Sequence, residues 1–214
     1  MGPPAYADYL PEDEPLLAAR AVAADLGGTE PVLPAVGAML RFLACAVGAK
    51  TTVEIGTGCG SSGIWLLRGM RPGSTLTSVD TEPEYQRMAR KAFAQAGFAQ
   101  NQCRLILGRA LDVLPRLSDG AYDMVFCDAD VRDYPDYLTA ALRLLRPGGV
   151  VAFNNALLAG TDLQGAWGAA DSPGDADVAD GGADLATQVR SDDRLVPVLL
   201  PLGQGLLAAL KRGD

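Results

Sequence analysis

The chain has 214 residues, 49% hydrophobic and 21% charged, with 18 basic against 26 acidic side chains and a net charge of −8. That length suits one domain with a full core, and the negative balance argues against a nucleic-acid partner, whose phosphates it would repel. Histidine is absent, which removes Ser-His-Asp and Cys-His triads, the usual zinc sites and the commonest general base.

The opening stretch MGPPAYADYLPEDEP is acidic and lacks the basic and apolar regions of a secretory signal. No apolar run approaches the roughly 18 residues that cross a bilayer, so a cytoplasmic protein without a membrane partner is expected. Residues 13–26 and 32–48 read as helices, the second amphipathic through Val36, Met39, Leu40, Phe42, Leu43 and Val47. These faces offer more apolar surface than one sheet covers.

From residue 51 strands and helices alternate. TTVEI is a strand, a glycine-rich turn follows, and SSGIWLLRGM is a helix. STLTSVD is the second strand, ending at Asp80. The next helix starts at a capping-box pattern of Thr81 and Glu84, has Pro83 in its first turn and stops at Gly97. CRLILG is the third strand, ALDVLPRL a short helix and YDMVFCDAD the fourth strand. Asp133 is placed to cap a helix that runs to Arg146 and breaks at PGG, before a fifth strand, VVAFNN. RLVPVLL and GLLAALK read as two more, close enough to pair antiparallel. Cys45, Cys59, Cys103 and Cys127 lack metal-like spacing and read as buried free thiols.

This alternation predicts an α/β fold, a Rossmann-like, doubly wound and mostly parallel seven-stranded sheet with helices on both faces and an antiparallel C-terminal strand. Residues 1–30 form an acidic segment and helix ahead of a main domain, 31–214. Within it, 158–184 is rich in Ala, Gly and Asp, and no Lys or Arg occurs from Pro147 to Val189. It reads as a solvated insertion or as a lid with Trp167 as its large apolar contact. Asp175-x-Asp177 within it is discounted as a calcium loop because no Glu closes it.

Ligands of such sheets sit at the carboxyl ends of strands near the switch point. That rule points to Gly56–Ser62, Asp80, Gly108–Leu111, Asp128–Asp130 and Asn154–Asn155. Two patterns fit the glycine turn. Gly58-x-Gly60-x-x-Gly63, with Asp80 beyond, satisfies the dinucleotide fingerprint. Glu54-x-Gly56-x-Gly58-x-Gly60 matches the first motif of S-adenosylmethionine-dependent methyltransferases. Charge separates them. Residues 51–67 carry Glu54 and no Lys or Arg, which suits a sulfonium–ammonium ligand and penalises a pyrophosphate.

Six segments in order, PAVGAMLRFL, VEIGTGCGSSGIWLL, LTSVDTEPE, LGRALDVLPRL, YDMVFCDAD and LRPGGVVAFNN, make the chain resemble class I O-methyltransferases of the catechol and caffeoyl-CoA type, especially small bacterial members. The resemblance covers roughly residues 30–212. Together with the apolar faces of the two N-terminal helices it implies a homodimer, and it implies S-adenosyl-L-methionine as cofactor. Val32 would touch its methionyl part, and Glu54, Gly56, Thr57 and Gly58 would line it. Ser62 would bond its carboxylate, Asp80 its ribose hydroxyls, Thr81 and Ala110 its adenine, and Asp130 its ammonium. Asp128 would stand where cofactor and acceptor meet, as the catalytic residue.

Two positions depart from the pattern the resemblance implies. Metal-dependent members end the fifth strand with Asp-Asn, where this chain has Asn154-Asn155. A divalent cation such as Mg would have Asp128, Asn154 and Asn155 as ligands, one carboxylate and two amides, a poor cage for a hard ion. A Lys just after DAD serves many members as base, and here the residue is Val131. The leading expectation is an S-adenosylmethionine-dependent O-methyltransferase acting on a small phenolic or aromatic hydroxyl acceptor. The alternatives are a cofactor-binding protein that has lost catalysis and an NAD(P)-dependent oxidoreductase.

Overall fold

The computed structural model describes residues 10–156 and 185–213, so the insertion or lid expected at 158–184, with Trp167, lies outside the described residues. The elements in order are α1 (Glu14–Leu26), α2 (Pro34–Ala46), β1 (Thr51–Ile55), α3 (Ser61–Gly69), β2 (Thr75–Asp80), α4 (Pro83–Gln95), β3 (Cys103–Leu107), α5 (Ala110–Val113), β4 (Tyr122–Cys127), α6 (Tyr134–Leu144), β5 (Leu145–Phe153), β6 (Leu195–Leu200) and β7 (Leu206–Lys211). Residues 185–191 are also helical.

The strands form one sheet in the order β3-β2-β1-β4-β5-β7-β6. β1 runs parallel to both β2 and β4, β3 and β5 extend the parallel set, and β7 enters antiparallel between β5 and β6. The strand order reverses direction at β1 and β4, which makes the crevice above their carboxyl ends the natural ligand position.

Helices on both faces account for the apolar strands. Met124 and Phe126 face the layer holding Leu40, Ile64, Leu66 and Phe93, while Val125 and Cys127 face Tyr134, Leu138 and Leu144. The alternation has period two, yet both faces are buried, as in sheets sandwiched between helices. Pro197 is tolerated because β6 is the margin of the sheet. α1 sends Leu16 and Ala19 into the same core as α2 and α3. Its Arg20 pairs with Glu12 and donates to the Val32 carbonyl at 2.9 Å, anchoring the segment that later walls the site.

Several local expectations change. The capping box at Thr81 and Glu84 does not form. Glu82 is the N-cap, and its N–H donates to Asp80 Oδ1 at 2.9 Å, so a carboxylate two residues upstream takes the capping role. Asp133 caps α6 without a side-chain bond; the preceding turn is closed by Asp130, which accepts the Arg132 N–H at 3.0 Å. α6 ends at Leu144, and PGG lies within β5, where the register with β4 shifts. Phe42 is 64% exposed, because the apolar stripe of α2 is wider than α3 covers. Cys59, Cys103 and Cys127 are buried thiols as expected, whereas Cys45 is exposed on α2.

Candidate active site

Backbone hydrogen bonds continue past the strand ends and bring the loops to one level. Gly56 N–H donates to Val79 O, Asp128 N–H to Ile55 O, Asn154 N–H to Cys127 O and Gly108 N–H to Asp80 O, all at 2.8–2.9 Å. A Cβ at Gly56, whose φ is +94°, would stand 2.0 Å from the Asp128 carbonyl oxygen. Glycine there lets the β1 turn lie against the end of β4. The turn is then fixed by Asp80, whose Oδ2 accepts the N–H groups of Thr57 and Gly58 at 2.9 and 3.0 Å.

Two cavities adjoin over this turn and share Gly28, Thr29, Gly56, Gly58, Asp128 and Ala129. The first, about 240 Å³, lies at the N-terminus of α3 and takes in Val32, Thr57, Ser61, Ser62 and Asn155. The second, about 440 Å³, runs past Asp80, Thr81, Tyr85, Ala110 and Tyr137. Joined, they fall in the range of small-molecule sites, roughly 300–1,000 Å³. Their acidic lining is Glu30, Asp80, Glu82 and Asp128, and no described Lys or Arg lines either one.

Ser61 and Ser62 differ in what their hydroxyls do. Ser62 Oγ donates to Glu54 Oε1 at 2.6 Å. Ser61 Oγ is buried, borders the first cavity and has no hydrogen-bond partner among the described residues. An orphan hydroxyl at a helix N-terminus is a ready donor for a ligand anion.

Asp128 sits where the cavities meet. Its Oδ1 accepts the Asn154 side-chain amide at 3.0 Å, and burial pushes its carboxyl up to about 6. Asn154 is itself held by Tyr134, whose hydroxyl donates to the Asn154 carbonyl at 2.9 Å while its ring packs on Phe153. Asn155 turns back toward the first cavity with φ +56°, a left-handed conformation that Asn tolerates better than most residues.

The divalent-cation reading does not fit these donors. Asn154 presents an N–H to Asp128 rather than a carbonyl oxygen to an ion, and Asp128 is the sole carboxylate of the three residues. Among the described residues no three His, Cys, Asp or Glu side chains cluster as a metal site.

The structure thus gathers Val32, Gly56, Thr57, Gly58, Ser62 and Asp128 around the first cavity and Asp80, Thr81, Ala110 and Asp128 around the second. Glu54 is not in the lining. It is fully buried under the turn, its second oxygen taken by Ser78 Oγ at 2.6 Å. Asp130 is exposed and forks onto Arg132, outside both cavities. Asn154 lies beneath Asp128 rather than on the surface of the crevice. Thr29, Tyr85, Tyr134 and Tyr137 carry no signal in the sequence, while Ser61 lies within the Gly56–Ser62 stretch that the strand-end rule marks, as first residue of the helix after the glycines.

With this geometry in place, comparison with known proteins is decisive. The family profile described as O-methyltransferase matches residues 14–212. The chain belongs to the O-methyltransferase family. A relative from Mycolicibacterium vanbaalenii, named for that activity, is 48% identical over 204 residues, spanning 94% of this chain and 85% of its own. One from Mycobacterium tuberculosis H37Rv is 48% identical over 202 residues, spanning 94% and 86%. Among solved structures, the O-methyltransferase TomG of Streptomyces achromogenes, involved in tomaymycin synthesis and crystallised with SAM, matches this O-methyltransferase with a TM-score of 0.83 and 31% identity over 97% of this chain and 94% of its own. The O-methyltransferase of Bacillus cereus, crystallised with SAH, gives 0.80 and 27% over 96% and 94%. The dinucleotide reading of the glycines gives way to this family assignment. Among the described residues no helix is long and apolar enough to cross a membrane.

Proposed function

We propose that this O-methyltransferase binds S-adenosylmethionine across the joined cavities and methylates a small phenolic or aromatic hydroxyl acceptor. The observation that carries the reading is a crevice floored by glycine backbone and walled by carboxylates, without a described Lys or Arg. Such a crevice favours a cationic ligand and repels linked phosphates. The residues also suit the cofactor in shape, since glycine at 56 lets the β1 turn lie against the end of β4, where the two cavities adjoin.

Adenosylmethionine supplies a methyl group already activated on a positive sulfur. The chain supplies position. The N-terminus of α3, with Ser61 Oγ and Ser62, faces the ligand carboxylate, and Glu30 and Asp128 offset its ammonium. Asp80, immobilised by three backbone N–H groups, keeps lone pairs for ribose hydroxyls. Thr81 and Ala110 flank the base. Asp128 accepts the acceptor's proton: its carboxyl, held near 6, is closer to neutrality than an ordinary Asp and better matched to that task.

Calorimetry with adenosylhomocysteine, followed by methylation assays on a panel of phenols and catechols, tests this. Binding together with turnover of a hydroxyl acceptor supports it; an absence of binding ends it. The homodimer is a proposal of the same kind, motivated by Leu33 and Phe42 exposed on and beside α2. Light scattering that returns a monomer removes it.

A further inference from the structure

Glu54 belongs to the site without touching it. Its carboxylate accepts one hydrogen bond from Ser62 Oγ and one from Ser78 Oγ, both at 2.6 Å, and Ser78 Oγ lies 2.7 Å from Thr57 Oγ1. A hydroxyl owns a single proton. While Glu54 is ionised it can only accept, so Ser62 and Ser78 both direct their protons inward. Ser62 then shows the first cavity nothing but lone pairs. A ligand carboxylate at the start of α3 would meet those lone pairs, leaving two carboxylates to compete for one hydroxyl proton.

One added proton resolves the conflict without moving a heavy atom. Glu54 Oε1, once protonated, donates to Ser62 Oγ, and the Ser62 proton turns outward to the ligand. Glu54 Oε2 still accepts from Ser78. We infer that Glu54 is a positioning residue acting through Ser62, and that seating the cofactor's carboxylate is coupled to uptake of one proton from solvent by Glu54. The inference rests on the proposed placement of that carboxylate beside α3.

The surroundings favour it. Burial first, then the charges of Asp128 after β4 and Asp80 on β2, push the Glu54 carboxyl up to about 7, against the opposing pull of the two serines. From β3 the Cys103 thiol faces it, raised to about 11 by its own burial and by the Glu54 charge, while Arg90 of α4 acts on Cys103 in the opposite sense. α3 contributes the neutral Ser62.

The test is calorimetric titration of the full chain with adenosylhomocysteine at about pH 8, in buffers of differing ionisation enthalpy. The wild type is expected to take up close to one proton per ligand bound. Its affinity is expected to fall by up to tenfold per pH unit above about 7. Glu54→Gln, which carries a permanent donor, is expected to bind with neither uptake nor that pH slope. Binding to the wild type without uptake overturns the inference. So does uptake that persists in Glu54→Gln and vanishes in Asp128→Asn. An absence of binding to the wild type removes the cofactor reading together with it. Should Glu54→Gln fail to fold, ¹³C-carboxyl spectra of glutamate-labelled wild type decide: the Glu54 midpoint rises on saturation, and an unmoved or lowered midpoint overturns the coupling.

Discussion

Asn154 donates its side-chain amide to Asp128 across 3.0 Å, so the acid at the junction of the two cavities is backed by a neutral partner. A second carboxylate at that position would convert the pair into a competent seat for a hard cation. Chelation with EDTA is therefore expected to leave the wild-type rate unchanged. Asn154→Asp should instead become dependent on added magnesium, with stimulation of roughly tenfold. Steady-state rates with and without chelator check both.

Gly56→Ala places a methyl group against the Asp128 carbonyl at a positive φ. The turn must shift or unfold, at a cost of about 2 kcal/mol or more. Loss of adenosylhomocysteine binding of at least about 100-fold is expected, because a displaced glycine floor fills the hollow. Thermal melting and calorimetry separate the two effects.

Asp80 and Asp123 make a controlled contrast. Asp80→Ala releases the N–H groups of Thr57, Gly58 and Glu82 as well as the proposed ribose contact, and should weaken ligand binding by about 100-fold. Asp123, at the opposite end of the sheet, accepts from Lys50 N–H, Thr51 N–H and Arg146 Nε. Asp123→Ala should lower stability by about 2–3 kcal/mol and leave the affinity of the folded protein unaltered. Urea unfolding and binding isotherms read the two outcomes independently.

The ligand-free protein should lose stability as pH rises. Glu54 and Asp128 have carboxyls raised from 4.5 to about 7 and from 3.8 to about 6. A raised carboxyl binds its proton more tightly folded than unfolded. Its contribution is complete below the unfolded value and disappears as pH climbs through the folded one. For Glu54 alone that is on the order of 3 kcal/mol. Unfolding midpoints measured from about pH 5 to 8 should fall, and Glu54→Gln should flatten the slope.

The strand ends were legible because each strand is apolar up to a polar or glycine residue, and parallel packing aligns those ends. What the side chains do there was less so. Glu54 lies on a strand covered on both faces, so periodicity could not say whether its acid pointed at the ligand or into the helix layer. Thr52 and Glu54 share a face, and two serines offset part of the cost of burying the carboxylate. The resemblance implies an ammonium contact for Asp130, whereas the tight turn at residues 131–133 brings Arg132 back onto it. Such a pairing depends on backbone geometry that the order of residues does not announce. Phe42 lies on the apolar stripe that its spacing predicts, but the stripe's width exceeds its cover.

Cys45 stands exposed on α2 while the other three thiols are buried. Burial also holds the Cys59, Cys103 and Cys127 thiols above their ordinary range, which starves them of reactive thiolate. A maleimide under mild conditions should therefore couple at one place, on a helix whose residues border neither cavity. The chain thus carries a built-in handle for a fluorophore or a surface tether, and no engineered mutation is needed to install one.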